Sequence, residues 1–127
     1  MLGTVGKDVS WETLYRRRDN SVVALEDRCC HRFAPLSHGR LEGDDIRCMY
    51  HGIKFAADGR CLEIPAQDVI PEAVRVRAYP AVEKDPWIWV WMGDPAYADS
   101  ALIPDALHHE DPDWLIGTSW RITPIIS

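Results

Sequence analysis

Two short boxes constrain this chain more than anything else in it: Cys29-Cys30-His31-Arg32 and Cys48-Met49-Tyr50-His51-Gly52. Each supplies one thiol and one imidazole, and sixteen residues lie between His31 and Cys48. Two sulfur and two nitrogen ligands are therefore delivered by two loops. A 2Fe–2S centre can use this set, with Cys29 and Cys48 on one iron and His31 and His51 on the other. The order Cys, His, Cys, His lets each box contribute to both irons. Zinc also takes two cysteines and two histidines, but zinc fingers usually present a Cys pair and then a His pair. The alternation favours the cluster, and a zinc-binding structural module stands as its rival.

The chain has 127 residues, 46% of them hydrophobic, enough for one domain with a buried core. Its net charge of −6 argues against nucleic acid or a membrane surface as partner. No apolar run reaches the roughly 18 residues of a membrane-spanning helix. The start, Met1 to Lys7, lacks the charged and apolar regions of a signal peptide, so a cytoplasmic location is expected. Four cysteines in such a chain suggest metal ligands or free thiols rather than a disulfide framework.

Strand and turn signals dominate, and an all-β antiparallel architecture is expected. The run Ser21 to Leu25 leads into the first box. Gly43-Asp44-Asp45 marks a hairpin between the boxes, and Asp58-Gly59 marks another, between 53–56 and 60–64. Val74 to Tyr79 alternates apolar and polar residues, as a half-buried strand does. Lys84-Asp85-Pro86 turns the chain into Trp87 to Met92, a run apolar on both faces and so expected to be buried on both sides. No helix is expected before residue 96. Proline and aspartate between Asp94 and Asp113 imply an irregular connection. The two boxes then sit on loops at the tips of neighbouring hairpins, near the surface at one end.

Arg28 to Phe55, RCCHRFAPLSHGRLEGDDIRCMYHGIKF, resembles the cluster-binding region of Rieske non-haem iron oxygenases. The shared features are Cys-x-His-Arg, Ala-Pro-Leu-Ser and Cys-x-Tyr-His-Gly-x-x-Phe. Glu63 to Pro65, Trp91 to Pro95 and Ile103 to Asp105 extend the likeness, which is greatest to the vanillate O-demethylase type of oxygenase subunit. It runs from about Val22 to about Asp105. The expected division is a poorly matching segment over 1–20, a Rieske iron–sulfur domain over 21–105 with its cluster on two hairpin loops, and a connection over 106–127 toward a catalytic domain. The respiratory Rieske class carries two further cysteines and a serine in the boxes. Ala34, Tyr50 and Ile53 stand at those places here.

The resemblance implies a 2Fe–2S cofactor held by Cys29, His31, Cys48 and His51, the histidines through Nδ1. It implies electron transfer from a reductase or ferredoxin to a mononuclear non-haem iron that hydroxylates or O-demethylates an aromatic compound. That iron belongs to a neighbouring subunit of a trimer, joined through an Asp to the histidine matching His51. The Asp-x-x-His-x₄-His pattern of such an iron site is absent from the sequence, so this chain alone is expected to move electrons and oxygenate nothing. A free-standing Rieske ferredoxin is the alternative. Around the ligands, Cys30 is expected to be a spare thiol, Cys61 a buried strand residue and His38 exposed. Tyr50 is expected to pack, Pro35 to shape and shield the first loop, Gly52 to let backbone approach the cluster, and Gly59 to serve only its turn. Arg32 is a candidate to pair with a partner's carboxylate. His108-His109 is read as a bland pair, because neighbours cannot both face one metal from a regular element.

Overall fold

Turns at the places the sequence marks divide the chain into antiparallel hairpins. The computed structural model describes residues 12–84, 87–105 and 111–113. The expectations for Met1 to Trp11, for Asp85-Pro86 and for His108-His109 lie outside the described residues. β1 (Glu12–Arg16) pairs with β2 (Val22–Glu26) over its whole length, from Glu12 opposite Glu26 to Arg16 opposite Val22. This strand falls inside the segment 1–20 that the sequence set apart. Asn20 turns the hairpin with a positive φ of 71°, a conformation that asparagine tolerates.

A second sheet is a meander of β3 (Arg40–Glu42), β4 (Asp45–Arg47), β5 (Lys54–Phe55) and β6 (Cys61–Glu63). Gly43-Asp44 is the two-residue turn between β3 and β4, with Glu42 opposite Asp45. The chain then returns to the first sheet, where β7 (Ala78–Tyr79) pairs with the free side of β2. The first box lies on the crossover from β2 to β3 and so joins the two sheets. The second is the tip of the β4–β5 hairpin.

Alternating residues of both sheets meet in one core. Leu25, Leu36, Ile46 and Phe55 are wholly buried, each stabilising the fold by roughly 1.5–3 kcal/mol. Tyr15, Val23, Ile53 and Val76 join them, and so do the two box cysteines, Cys29 and Cys48. The Tyr15 hydroxyl donates to the Asp44 carbonyl at 3.1 Å and so ties the first sheet to a turn of the second. Burial pushes this phenol up to about 12.

Two expectations need correction. Only Ala78–Tyr79 of the 74–79 run is strand; before it, Arg75 makes a lone bridge to Arg60. The alternation is nonetheless visible as burial, with Val76 buried and Arg75 and Arg77 exposed. The tryptophan run is not buried on both sides. β9 (Trp87–Val90) pairs only with β8 (Ala81–Lys84) among the described residues, and Trp87 is 45% exposed. Apolar faces do not bury a strand unless a layer lies over each. A short 3₁₀ turn at Leu36–His38 was also not foreseen, and two more, Pro95–Tyr97 and Ser100–Leu102, break the irregular connection.

Gly59 does more than complete its turn. Its φ is +83°, its carbonyl accepts the Val76 N–H at 2.9 Å, and a Cβ there would collide with the Val76 carbonyl oxygen. Gly59→Ala is therefore expected to lower unfolding free energy by at least about 1–2 kcal/mol, from the left-handed backbone alone. Urea denaturation checks this; an unchanged midpoint would show that the turn can move away from residue 76.

Candidate metal centre

Each box is closed on itself by the same two backbone hydrogen bonds. In the first, Cys29 N–H donates to Ala34 O and Phe33 N–H to Cys29 O, both at 2.8 Å. In the second, Cys48 N–H donates to Ile53 O at 2.8 Å and Gly52 N–H to Cys48 O at 3.1 Å. The fourth residue after each cysteine has positive φ, Phe33 at 57° and Gly52 at 76°. Gly52 adopts this freely; Phe33 does so at a cost of about 1–2 kcal/mol.

The closures send the donors in opposite directions. Cys29 and Cys48 are each 2% exposed and belong to the core, whereas His31 and His51 are exposed. The two imidazoles face one another with Nδ1 atoms 2.9 Å apart and ring planes inclined at 71°. Burial first of all pushes the Cys29 thiol up to about 12; the His31 N–H bonded to it works in the other direction, and neighbouring Cys48 raises it further. A thiol in such surroundings ionises when a cation takes its charge. Of the four expected ligands, the two sulfurs thus neighbour one another in the core and the two imidazoles meet at the surface.

Two pairs of donors suit a binuclear centre with two protein ligands on each metal. The chemistry of the donor set therefore fits a 2Fe–2S cluster.

Of the other sequence candidates, Cys30 lies within hydrogen-bond reach of Cys29, and Tyr50 lies against His51. Cys30 is exposed, as is His38, and Cys61 is only half-buried, its Sγ donating to Glu63 O at 3.5 Å. Arg32 and Pro35 are both exposed. Pro35 precedes the 3₁₀ turn at Leu36–His38, and Leu36 is the wholly buried residue of that stretch. Tyr50 does not pack into the core: it is 61% exposed and its ring lies 4.1 Å from the His51 ring.

Three contributors escaped the sequence reading. Asp27 holds the far end of the first loop, accepting from Ser37 N–H at 2.6 Å and Ser37 Oγ at 2.7 Å. Arg28 places its guanidinium 5.1 Å from the centre of the exposed Phe33 ring. Arg47 reaches the second loop and two carboxylates at once. The only sequence signal for the last two is an arginine directly before each box.

The sequence profile of the Rieske [2Fe-2S] domain matches residues 4–80. The iron-sulfur subunit of the toluene-4-sulfonate monooxygenase system of Comamonas testosteroni is 52% identical over 101 residues, covering 80% of this chain and 29% of that subunit. The vanillate O-demethylase oxygenase subunit of a Pseudomonas species is 46% identical over 104 residues, covering 82% of this chain and 31% of the relative. The crystal structure of dicamba monooxygenase bound to dicamba superposes with a TM-score of 0.74 at 46% identity, over 80% of this chain and 30% of that one. The chain spans under a third of the length of each.

The acid response of the sheet beneath the second box follows from its charges. Hydrogen bonds from Arg47, and then from Arg40, hold the Glu42 carboxyl down to about 2 from an ordinary 4.5, and Arg47 lowers Glu63 as well. A depressed carboxyl stabilises the fold above its unfolded value and loses that contribution as pH falls toward its folded value. Wild type should therefore outlast Glu42→Gln at pH 7, with the gap in melting temperature closing as pH falls below about 4.5. A gap of constant size down to pH 3 would rule out the ionised carboxylate as its source.

Proposed function

We propose, for a chain that belongs to the Rieske [2Fe–2S] domain family, that Cys29 and Cys48 ligate one iron of the cluster and His31 and His51 the other. The observation that supports this best is the sorting of donors, two buried thiols and two exposed imidazoles whose Nδ1 atoms converge to 2.9 Å. Bound there, a 2Fe–2S centre supplies a one-electron relay. The chain's own residues set its surroundings. Leu36, Ile53 and Phe55 keep water from the sulfur side. Tyr50 lies against the His51 ring. The exposed imidazole edges present the nitrogen side to an electron-exchange partner.

The parent activity we infer is that of an oxygenase component acting on an aromatic compound by hydroxylation or O-demethylation. Its partners would be a reductase or ferredoxin donor and neighbouring subunits of a trimer bearing the mononuclear iron. The relatives compared above are parts of a monooxygenase or a demethylase, which supports this reading over a free ferredoxin.

Anaerobically prepared protein should be coloured and contain about two irons and two sulfides per chain. Cys29→Ser and Cys48→Ser should abolish the visible spectrum; Cys30→Ser and Cys61→Ser should preserve it. Colourless wild type holding one zinc would overturn the assignment, and bleaching by Cys30→Ser alone would shift the first box by one residue.

The midpoint potential should fall in the lower part of the Rieske range of roughly −150 to +300 mV, because the extra cysteines and serine of the respiratory class are missing. Redox titration checks this, and a value near the top would place the chain with that class.

A further inference from the structure

Each ligand loop is preceded by an arginine whose side chain turns back onto the residue five positions later. Arg28 lays its guanidinium against the Phe33 ring at 5.1 Å, and Arg47 Nη1 donates to the Gly52 carbonyl at 2.7 Å. These are the two left-handed residues that close the loops. The contacts differ in kind. Phe33 is 66% exposed and is met over its ring, whereas the Arg47 side chain is only 15% exposed and grips backbone.

The guanidinium of Arg47 has no idle donor. Nε and Nη2 donate to the two oxygens of Glu42, each at 2.8 Å. Nη2 also donates to Glu63 Oε2 at 2.9 Å, and Nη1 to Glu63 Oε1 at 3.3 Å. With the Gly52 bond, every N–H of the planar fork is used. Glu42 lies on β3 and Glu63 on β6, so the group that holds the loop is itself fixed from both sides by strands outside it. Its grip falls on a glycine, the residue whose backbone is otherwise freest to rotate, and directly after His51.

We propose that Arg47 is the positioning residue of the second loop: anchored by Glu42 and Glu63, it clasps the Gly52 carbonyl and thereby sets the His51 imidazole toward its metal. The proposal rests on the cluster assignment above. Groups that orient a metal ligand tune the metal without touching it. Lysine carries the same charge but lacks the planar fork, so it cannot hold two carboxylates and a carbonyl together.

The test uses purified cluster-bearing protein: wild type, Arg47→Lys, Arg47→Met, Glu42→Gln and Arg28→Met. Three quantities are measured: midpoint potential, the electron paramagnetic resonance line shape of the reduced state, and the rate of iron loss to a chelator. Arg47→Lys and Arg47→Met should both shift the potential, broaden the resonance and lose iron about 10-fold faster or more. Glu42→Gln should move the same quantities in the same direction by less, which keeps the test decisive if Arg47→Met does not fold. Arg28→Met should have the smaller effect of the two arginine sites. A wild-type potential and line shape in Arg47→Lys would show that charge suffices and overturn the clasp. So would an Arg47→Met or Glu42→Gln protein with a lowered melting temperature and unaltered potential and line shape, since that is a merely structural role. Wild type without iron would instead remove the cluster assignment.

Discussion

A thiol is at home in an apolar core only while it keeps its proton, and a metal ligand must lose it. On the assignment proposed above, Cys29 and Cys48 are held in that position, buried with Leu36, Ile46 and Phe55 while their loops run out to water. The rest of the domain answers this constraint. Each loop must enter the core at its cysteine and leave it within two or three residues to expose a histidine. The paired closures achieve that by folding the chain back at once, from Cys29 N–H to Ala34 O and from Cys48 N–H to Ile53 O. Such tight reversals need left-handed residues, and these stand at 33 and 52.

Two sheets supply the rigid base for the loops. The meander carries the second box on a hairpin and fixes its exit through Arg47. The first box spans both sheets and is held differently, by Asp27 receiving two bonds from Ser37 across the loop. Tyr15 on the Asp44 carbonyl tightens the connection between these two sheets, while Arg16 ties the first sheet to the β8–β9 hairpin by meeting both oxygens of Glu83 at 2.6 and 2.7 Å. The Arg16–Glu83 pair is partly exposed and adds little to stability.

Local chemistry made much of this legible in the amino-acid order. Gly43-Asp44 and Asp58-Gly59 are short-range turn signals, and the hairpins formed there as read. The two Cys–His boxes stand out in the sequence for the same reason, being runs of a few residues with distinctive donors. Features that depend on a distant strand were not. Whether Trp87 to Val90 is covered depends on what lies across it, and Gly59 owes its second duty to Val76, seventeen residues on. Arg47 was passed over because its partners, Glu42 and Glu63, become neighbours only when four strands align. Phe33 was missed because a positive φ at a bulky residue leaves no mark in composition.

The matched closures also show that the two loops are not mirror partners where it counts. Aligned by their hydrogen bonds, Cys29 falls on Cys48 and Phe33 on Gly52, but His31 falls on Tyr50 and Arg32 on His51. The histidines occupy different rungs of otherwise equivalent loops, and their ring planes cross at 71°. The rotation that superposes one loop on the other therefore does not carry one imidazole onto the other. The nitrogen end is a pseudosymmetric frame with its symmetry broken at the histidines themselves. An approaching molecule meets two distinguishable doors, one beside Tyr50 and Met49, the other beside Arg32 and Phe33.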